Sequence, residues 1–313
     1  SEIMLPSHKD WSFVCCLSSI NVMHYEDWKD TDLVETMIYF LDAVMTDFIE
    51  KLEAMRDSDD PDKQLAFRFM ERPYNFAKAN RALGLGTLGY HSLFQSKGIP
   101  FESDEAAKLN EEVFKLIRER ADKTTEEMAK EYGEPEVLKG YGRRHTTTLA
   151  VAPNTSSAFI LGQVSQGIEP VWSNCYVKDV AKLKVTIKNP FLEELLEEKG
   201  KNDKETWNSI RDNDGSVQHL DFLSDEEKAV YRTFAEINQS VIIEQAAVRQ
   251  KYIDQGQSLN VMVPPSTSPK DINALYMQAW KSGVKALYYQ HSMNAAQEMT
   301  RKKIGQQGTG AEG

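Results

Sequence analysis

Cysteine is scarce in this chain: there are three among 313 residues, Cys15, Cys16 and Cys175. So sparse and odd a count excludes a disulfide scaffold and points to a reducing compartment, which makes a cytoplasmic location the expectation. Adjacent Cys15 and Cys16 can neither bond each other easily nor share one ion, and their spacing matches no zinc pattern, so no metal ligands are assigned. Long apolar runs are missing as well. No stretch approaches the roughly 18 residues of a membrane helix, and the mean hydropathy is -0.52. There is no charged-then-apolar leader and no initiator methionine. A first residue of Ser suggests processing, splitting or trimming. Basic charge is also short, with 37 Lys and Arg against 48 Asp and Glu, a net charge of -11. That balance argues against general nucleic-acid binding, which needs clustered cations. An acidic chain can still hold a nucleotide locally through backbone amides, and plain solubility accounts for the charge itself.

What is present suits a large core, because 41% of the residues are hydrophobic, enough for one big domain or two. Residues 32–54 carry Val34, Met37, Ile38, Leu41, Met45, Phe48 and Leu52 on one helical stripe, with Asp32 and Glu35 as a capping box. Further helices are predicted after Ser103, after Ser224 (box partner Glu227, core face Val230, Phe234, Ile237 and Val241) and after Ser268, where Pro269 takes the first helical position. Short strands are predicted over 12–22, 147–152, 258–263 and 284–288. Strands alternating with helices make the fold class α/β. The domain is expected to span 1–290, followed by a flexible tail over 291–313, glycine-rich from residue 301.

Three motifs carry candidate chemistry. Gly84-Leu85-Gly86-Thr87-Leu88-Gly89 matches the dinucleotide fingerprint literally, but residues 74–83 do not read as a buried strand, so packing glycines are the better reading. Ala152-Pro153-Asn154-Thr155-Ser156-Ser157 offers hydroxyls and unpaired N–H groups where a helix starts. It is a phosphate cradle or an ordinary N-cap with extra serines. Tyr288 and Tyr289, in Gly283-Val284-Lys285-Ala286-Leu287-Tyr288-Tyr289-Gln290, are a packing pair or a redox relay.

Taken together, these stretches resemble the large, catalytic subunit of class I ribonucleotide reductase. The run from Thr146 through Asn154–Ser157 to Gln166-Gly167-Ile168-Glu169-Pro170 is similar to that family's substrate-phosphate loop. Phe13-Val14-Cys15-Cys16-Leu17-Ser18-Ser19-Ile20-Asn21-Val22 resembles the segment bearing one of two reducing cysteines, with Cys15 in register; Cys16 falls where a polar residue is common, and could react in its place. Cys175 matches no family cysteine, and core packing is its expected role. Ser1-Glu2-Ile3-Met4-Leu5-Pro6 resembles the segment just after the radical cysteine.

The resemblance implies the C-terminal half of a ten-stranded α/β barrel, with a finger loop through its centre. It implies reduction of ribonucleoside diphosphates to deoxyribonucleotides by radical chemistry. Asn154, Thr155, Ser156 and Ser157 would bind substrate phosphate, Glu2 would be the general base at the 3′-hydroxyl, and Cys15 would be a reducing thiol. Tyr289 and Tyr288 would pass the radical inward, and it would come from the metal cofactor of a small partner subunit, this chain binding no cofactor itself. Implied partners are the N-terminal half of the large subunit, the small subunit and a thioredoxin or glutaredoxin type reductant, with no nucleic acid and no membrane. A split gene or an intein is the preferred explanation of Ser1, and the fragment is expected to be inactive alone. The competing readings are a non-catalytic module that binds nucleotide phosphate, and a fragment of the cobalamin-dependent (class II) reductase.

Overall fold

Parallel pairing organises the chain, as a computed structural model covering residues 2–180 and 183–292 shows. In chain order the elements are β1 (Leu17–Asn21), α1 (Tyr25–Trp28), α2 (Leu33–Arg56), α3 (Pro61–Asn80), β2 (Gly84–Leu88), α4 (Tyr90–Ser96) and α5 (Asp104–Tyr132). Then come α6 (Thr155–Ile160), β3 (Cys175–Val180), β4 (Leu183–Lys188), α7 (Pro190–Glu198), α8 (Lys204–Asp212) and α9 (Asp225–Val230). The last are α10 (Gln239–Gln250), β5 (Val261–Met262), α11 (Pro269–Lys281) and β6 (Gln290–His291). β1 lies parallel to β2, with Leu17 opposite Gly84. A parallel bridge joins Leu85 to Leu149, and another joins Val151 to Gln257. β5 then pairs in parallel with β6. Extended segments near residues 17–21, 84–88, 147–151, 255–263 and 288–291 thus follow one another side by side in sequence order.

Helices cover one side of this series, as parallel strands joined by helical crossovers require. The predicted stripe of α2 is the buried one: Val34, Ile38, Leu41, Met45 and Leu52 all lie in the main core. Burying each of these larger side chains is worth about 1.5–3 kcal/mol. Phe114 and Ile117 of α5 and Ile242, Ile243 and Ala246 of α10 join the same core. A separate small core gathers Cys175, Leu192, Leu196, Trp207 and Ile210, so Cys175 is a packing residue. Gly86 is a packing position too, since a Cβ there would sit 2.4 Å from the Ala150 carbonyl oxygen. The glycine run is itself strand β2 and follows helix α3, which excludes the strand-then-glycine order of a dinucleotide site. No helix among the described residues is long and apolar enough to cross a membrane.

Several local expectations are corrected. Asp32 makes no side-chain cap; Thr31 Oγ1 takes the Leu33 N–H instead. The helix expected from Ser224 to Val241 stops at Val230. A second capping box at Thr233–Glu236 and an Asn238 cap divide that stretch, because each offers the backbone a local hydrogen-bond partner. The strand predicted over 12–22 is regular only over 17–21. No strand forms over 284–288; the chain becomes a strand at Gln290. The antiparallel β3–β4 pair was not foreseen. β6 includes His291, one residue into the expected tail, and positions 293–313 of that tail lie outside the described residues.

Candidate active site

The two cysteines just ahead of β1 differ in burial. Cys16 is buried, as is Ile20 of β1, with Cys16 Sγ lying 3.5 Å from the Leu41 carbonyl oxygen in the core against α2. Cys15 is exposed. Burial foremost, then the charges of Cys15 and Asp42, pushes the Cys16 thiol up to about 11. The worry that Cys16 might react in place of Cys15 is met by this geometry: it points away, into the core.

Glu2 meets the opposite side of the strand series. Its carbonyl oxygen accepts from Gly256 N at 2.7 Å, and Ser258 Oγ donates to its Oε2 at 2.5 Å. Met4 N donates to Gln255 Oε1 at 3.1 Å, fixing the segment that follows. The Glu2 charge reaches two other groups singled out in the sequence. The Cys15 thiol is raised above its ordinary pKa by burial and then by Glu2. The Tyr288 phenol is raised chiefly by hydrogen bonding with Tyr289, and Glu2 adds to the effect. Glu2 and Tyr288 are attached to neighbouring residues of one segment: Ser258 holds the Glu2 carboxylate, and the Leu259 carbonyl accepts from Tyr288 N.

The tyrosine rings overlap because their backbone is not a strand. Ring centroids lie 4.1 Å apart with planes 48° to each other, closer than the usual lower limit of about 4.5 Å for aromatic pairs. Tyr288 N donates to the Leu259 carbonyl at 2.8 Å, and Tyr289 N donates to the side chain of Asn260, again at 2.8 Å. That second bond replaces a ladder partner with a side chain, so the two rings escape strand alternation.

The third part of the site is the turn at the start of α6. Asn154 is left-handed, with φ 57°, and does not cap the helix. Its side chain ties the loop to the strands instead: Nδ2 donates to Ser19 Oγ at 2.9 Å and to the Thr87 and Ala152 carbonyls at 3.0 Å each. Since no side chain caps the turn, the N–H groups of Thr155, Ser156 and Ser157 have no protein acceptor among the described residues, and all three residues are exposed. Such free donors just past the carboxyl end of a parallel strand suit an anion. Gly167, at φ 49°, presses on this loop so closely that a Cβ would sit 2.8 Å from the Ala152 carbonyl oxygen. Ser19 thus links β1, which follows Cys15 in the chain, to the loop.

Sequence reasoning missed the residues that brace these groups. Glu169 and Asn260 are both buried, and Asn260 donates to Glu169 while holding Tyr289 N. Ser258, 2% exposed, holds Glu2. The available signal was a run of polar side chains, Gln255, Gln257, Ser258 and Asn260, inside a stretch patterned as a strand. A cleft of about 460 Å³ lined by Arg118, Thr146, Asp254 and Lys285 contains none of these site residues. It lies where the strands begin, away from the α6 turn. Among the described residues no group of three or more His, Cys, Asp or Glu is placed to hold a metal ion.

Comparison with known proteins supplies independent findings. The family profile "Ribonucleotide reductase, barrel domain" matches residues 1–140 and 135–290. The large subunit of ribonucleoside-diphosphate reductase from Invertebrate iridescent virus 6 is 41% identical over 95% of this chain and 30% of its own length. A Frog virus 3 protein described as a large subunit of the same enzyme is 40% identical over 92% of this chain and 49% of its own. The solved structure of the Actinobacillus ureae class Id ribonucleotide reductase alpha subunit superposes with a TM-score of 0.85 at 52% identity. That match covers 95% of this chain and 53% of the other. The chain therefore spans less than half of either curated relative and about half of the solved one.

Proposed function

The chain belongs to the ribonucleotide reductase family, and we propose that it works as the C-terminal part of a class I ribonucleoside-diphosphate reductase large subunit. The observation that carries this reading is the stacked tyrosine pair, bonded through Tyr288 N to Leu259 beside the Ser258 that holds Glu2. On this reading the series of parallel segments is one half of a ten-stranded barrel that runs through β6 to His291, with the tail after it.

The N–H groups of Thr155, Ser156 and Ser157 hold the substrate's phosphates, and Asn154 locks their loop to Ser19 of β1. Binding at one end places the ribose between Cys15 and Glu2, where misplacement by an ångström is costly. A thiyl radical on a cysteine outside this chain's sequence takes the 3′-hydrogen. Glu2, held by Ser258, accepts the 3′-hydroxyl proton as general base. The 2′-hydroxyl leaves as water, and Cys15 with a second thiol supplies two electrons and two protons as the pair closes to a disulfide. Tyr289 receives the radical and Tyr288 passes it toward the cysteine. The radical comes from a small metal-bearing subunit, and a thioredoxin or glutaredoxin type protein restores the thiols. The remaining large-subunit half completes the enzyme, which works in the cytoplasm.

Reconstitution tests this. The chain with the small subunit alone is expected to leave ribonucleoside diphosphates unreduced, and adding the other half of the large subunit is expected to restore reduction. Turnover without that half would overturn the proposal. Phosphate binding with no turnover in the complete mixture would favour the non-catalytic module.

A further inference from the structure

Beyond the tyrosine pair, the line of aromatic rings continues. The His291 ring lies 6.0 Å from that of Tyr289, and Trp172 meets His291 edge-on at 4.6 Å. Trp172 is 42% exposed. A second connection runs beside the first through hydrogen bonds. Trp172 Nε1 donates to Glu169 Oε2 at 3.0 Å, Asn260 donates to the other Glu169 oxygen, and Asn260 Oδ1 accepts from Tyr289 N at 2.8 Å. Tryptophan and tyrosine are the side chains most readily oxidised by one electron, and an oxidised indole is acidic, so it needs a base within hydrogen-bond reach.

We propose that Trp172 is a third redox position on this relay, exchanging an electron with Tyr289 across His291 while Glu169 takes the indole proton. This rests on the relay reading of Tyr288 and Tyr289 given above. The exchange balances. The Tyr289 phenoxyl radical gains an electron from Trp172 and a proton from solvent, which reaches it because Tyr289 is 56% exposed. The indole loses that electron and its Nε1 proton, leaving a neutral tryptophanyl radical and a protonated Glu169. The reverse step returns the radical to Tyr289.

Glu169 is built for the proton. It is 6% exposed, and the donors that reach it, Trp172 and Asn260, are neutral. A buried carboxylate without a cation is costly. Burial raises its affinity for a proton, and the two hydrogen bonds lower it only in part. If the indole N–H needed no more than a partner, a glutamine or a backbone carbonyl would serve without burying a charge.

The test uses the complete large subunit with its small subunit, carrying Tyr288→Phe so that the radical stops outside the thiol site. Electron paramagnetic resonance with indole-deuterated tryptophan, and separately with ring-deuterated tyrosine, identifies the side chain that holds it. A component that narrows on tryptophan labelling is expected; Trp172→Phe removes it, and Glu169→Gln lowers it severalfold. If turnover is blocked and no tryptophan-derived component appears, or if that component survives Trp172→Phe, the assignment of Trp172 is overturned while the tyrosine relay stands. If Tyr288→Phe still turns over, the relay reading itself falls.

Discussion

Two carboxylates on opposite faces of the strand series lead opposite lives. Asp42 of α2 is 5% exposed and fully engaged. Arg81 Nε donates to it at 2.8 Å, Arg144 Nε at 3.0 Å, and His145 Nε2 lies 2.9 Å away. Burial alone would raise its pKa; the His145 hydrogen bond with the Arg81 and Arg144 charges instead lowers it to about 2. Glu2 is half-buried, has among the described residues a single side-chain donor in Ser258, and its charge adds to the raised pKa of the exposed Cys15 and of Tyr288. Where every charge is matched by fixed partners, the group holds structure together. A carboxylate with one such bond keeps room for a further partner. The comparison extends to the adjacent cysteines, since Cys16 belongs to the Asp42 side and Cys15 to the Glu2 side.

Substitutions on the two faces are expected to separate activity from stability. Cys15→Ala is expected to bring nucleotide reduction by the reconstituted enzyme to background, measured as deoxyribonucleotide formed. Its exposed side chain makes the stability change small, within about 0.5 kcal/mol. Asp42→Ala reverses the pattern. It leaves the buried Arg81 and the half-buried Arg144 without their counter-charge and the buried His145 without its partner, a loss on the order of 3–5 kcal/mol by urea denaturation. A loss below about 1 kcal/mol would mean that the cluster is no structural hub.

Acid should dismantle the Asp42 side in a definite direction. The folded pKa of about 2 lies below the ordinary 3.8. Stability from this group is therefore fully present above about pH 5 and drains away as pH falls toward 2, roughly 2 kcal/mol in all. Asp42→Asn is expected to flatten that part of the stability profile; an unchanged slope would contradict the assignment. The smallest effect belongs to Cys16→Ala. It removes one buried sulfur, costing roughly 1 kcal/mol, and is expected to leave nucleotide reduction at the unsubstituted rate. Reduction lost with Cys16 and kept without Cys15 would exchange the roles of the two thiols.

Much of the scaffold was legible because the signals are local. The α2 stripe, the Ser103, Ser224 and Ser268 caps and the buried Cys175 all follow from short-range spacing and composition. α3 was hidden by its polar sequence and by Pro73 within it. The expected strand at 284–288 failed because Val284 N turns back to the Ala279 carbonyl at the end of α11 and Asn260 claims Tyr289 N. The first contact is a local turn after α11, where Gly283 takes φ 84°; the second comes from 29 positions away and leaves no local trace. Glu2, Cys15, Asn154–Ser157 and the tyrosine pair were picked out by resemblance to family motifs. Their supports Ser258 and Asn260 were not, and Glu169 was quoted within a motif without a role, since hydrogen bonds across 256, 29 and 91 positions have no periodicity to read.

The central claim is that the α6 turn and the Cys15 thiol serve one nucleotide, and alkylation of the three cysteines tests it most directly. Cys15 is the exposed thiol, while Cys16 and Cys175 are buried, so a small alkylating reagent is expected to label Cys15 first. A ribonucleoside diphosphate, at concentrations where calorimetry detects its binding, is expected to slow that labelling, with Cys16 and Cys175 unaffected. Binding with an unchanged rate at Cys15 would contradict the claim, because the phosphate turn and the thiol would then not face the same molecule.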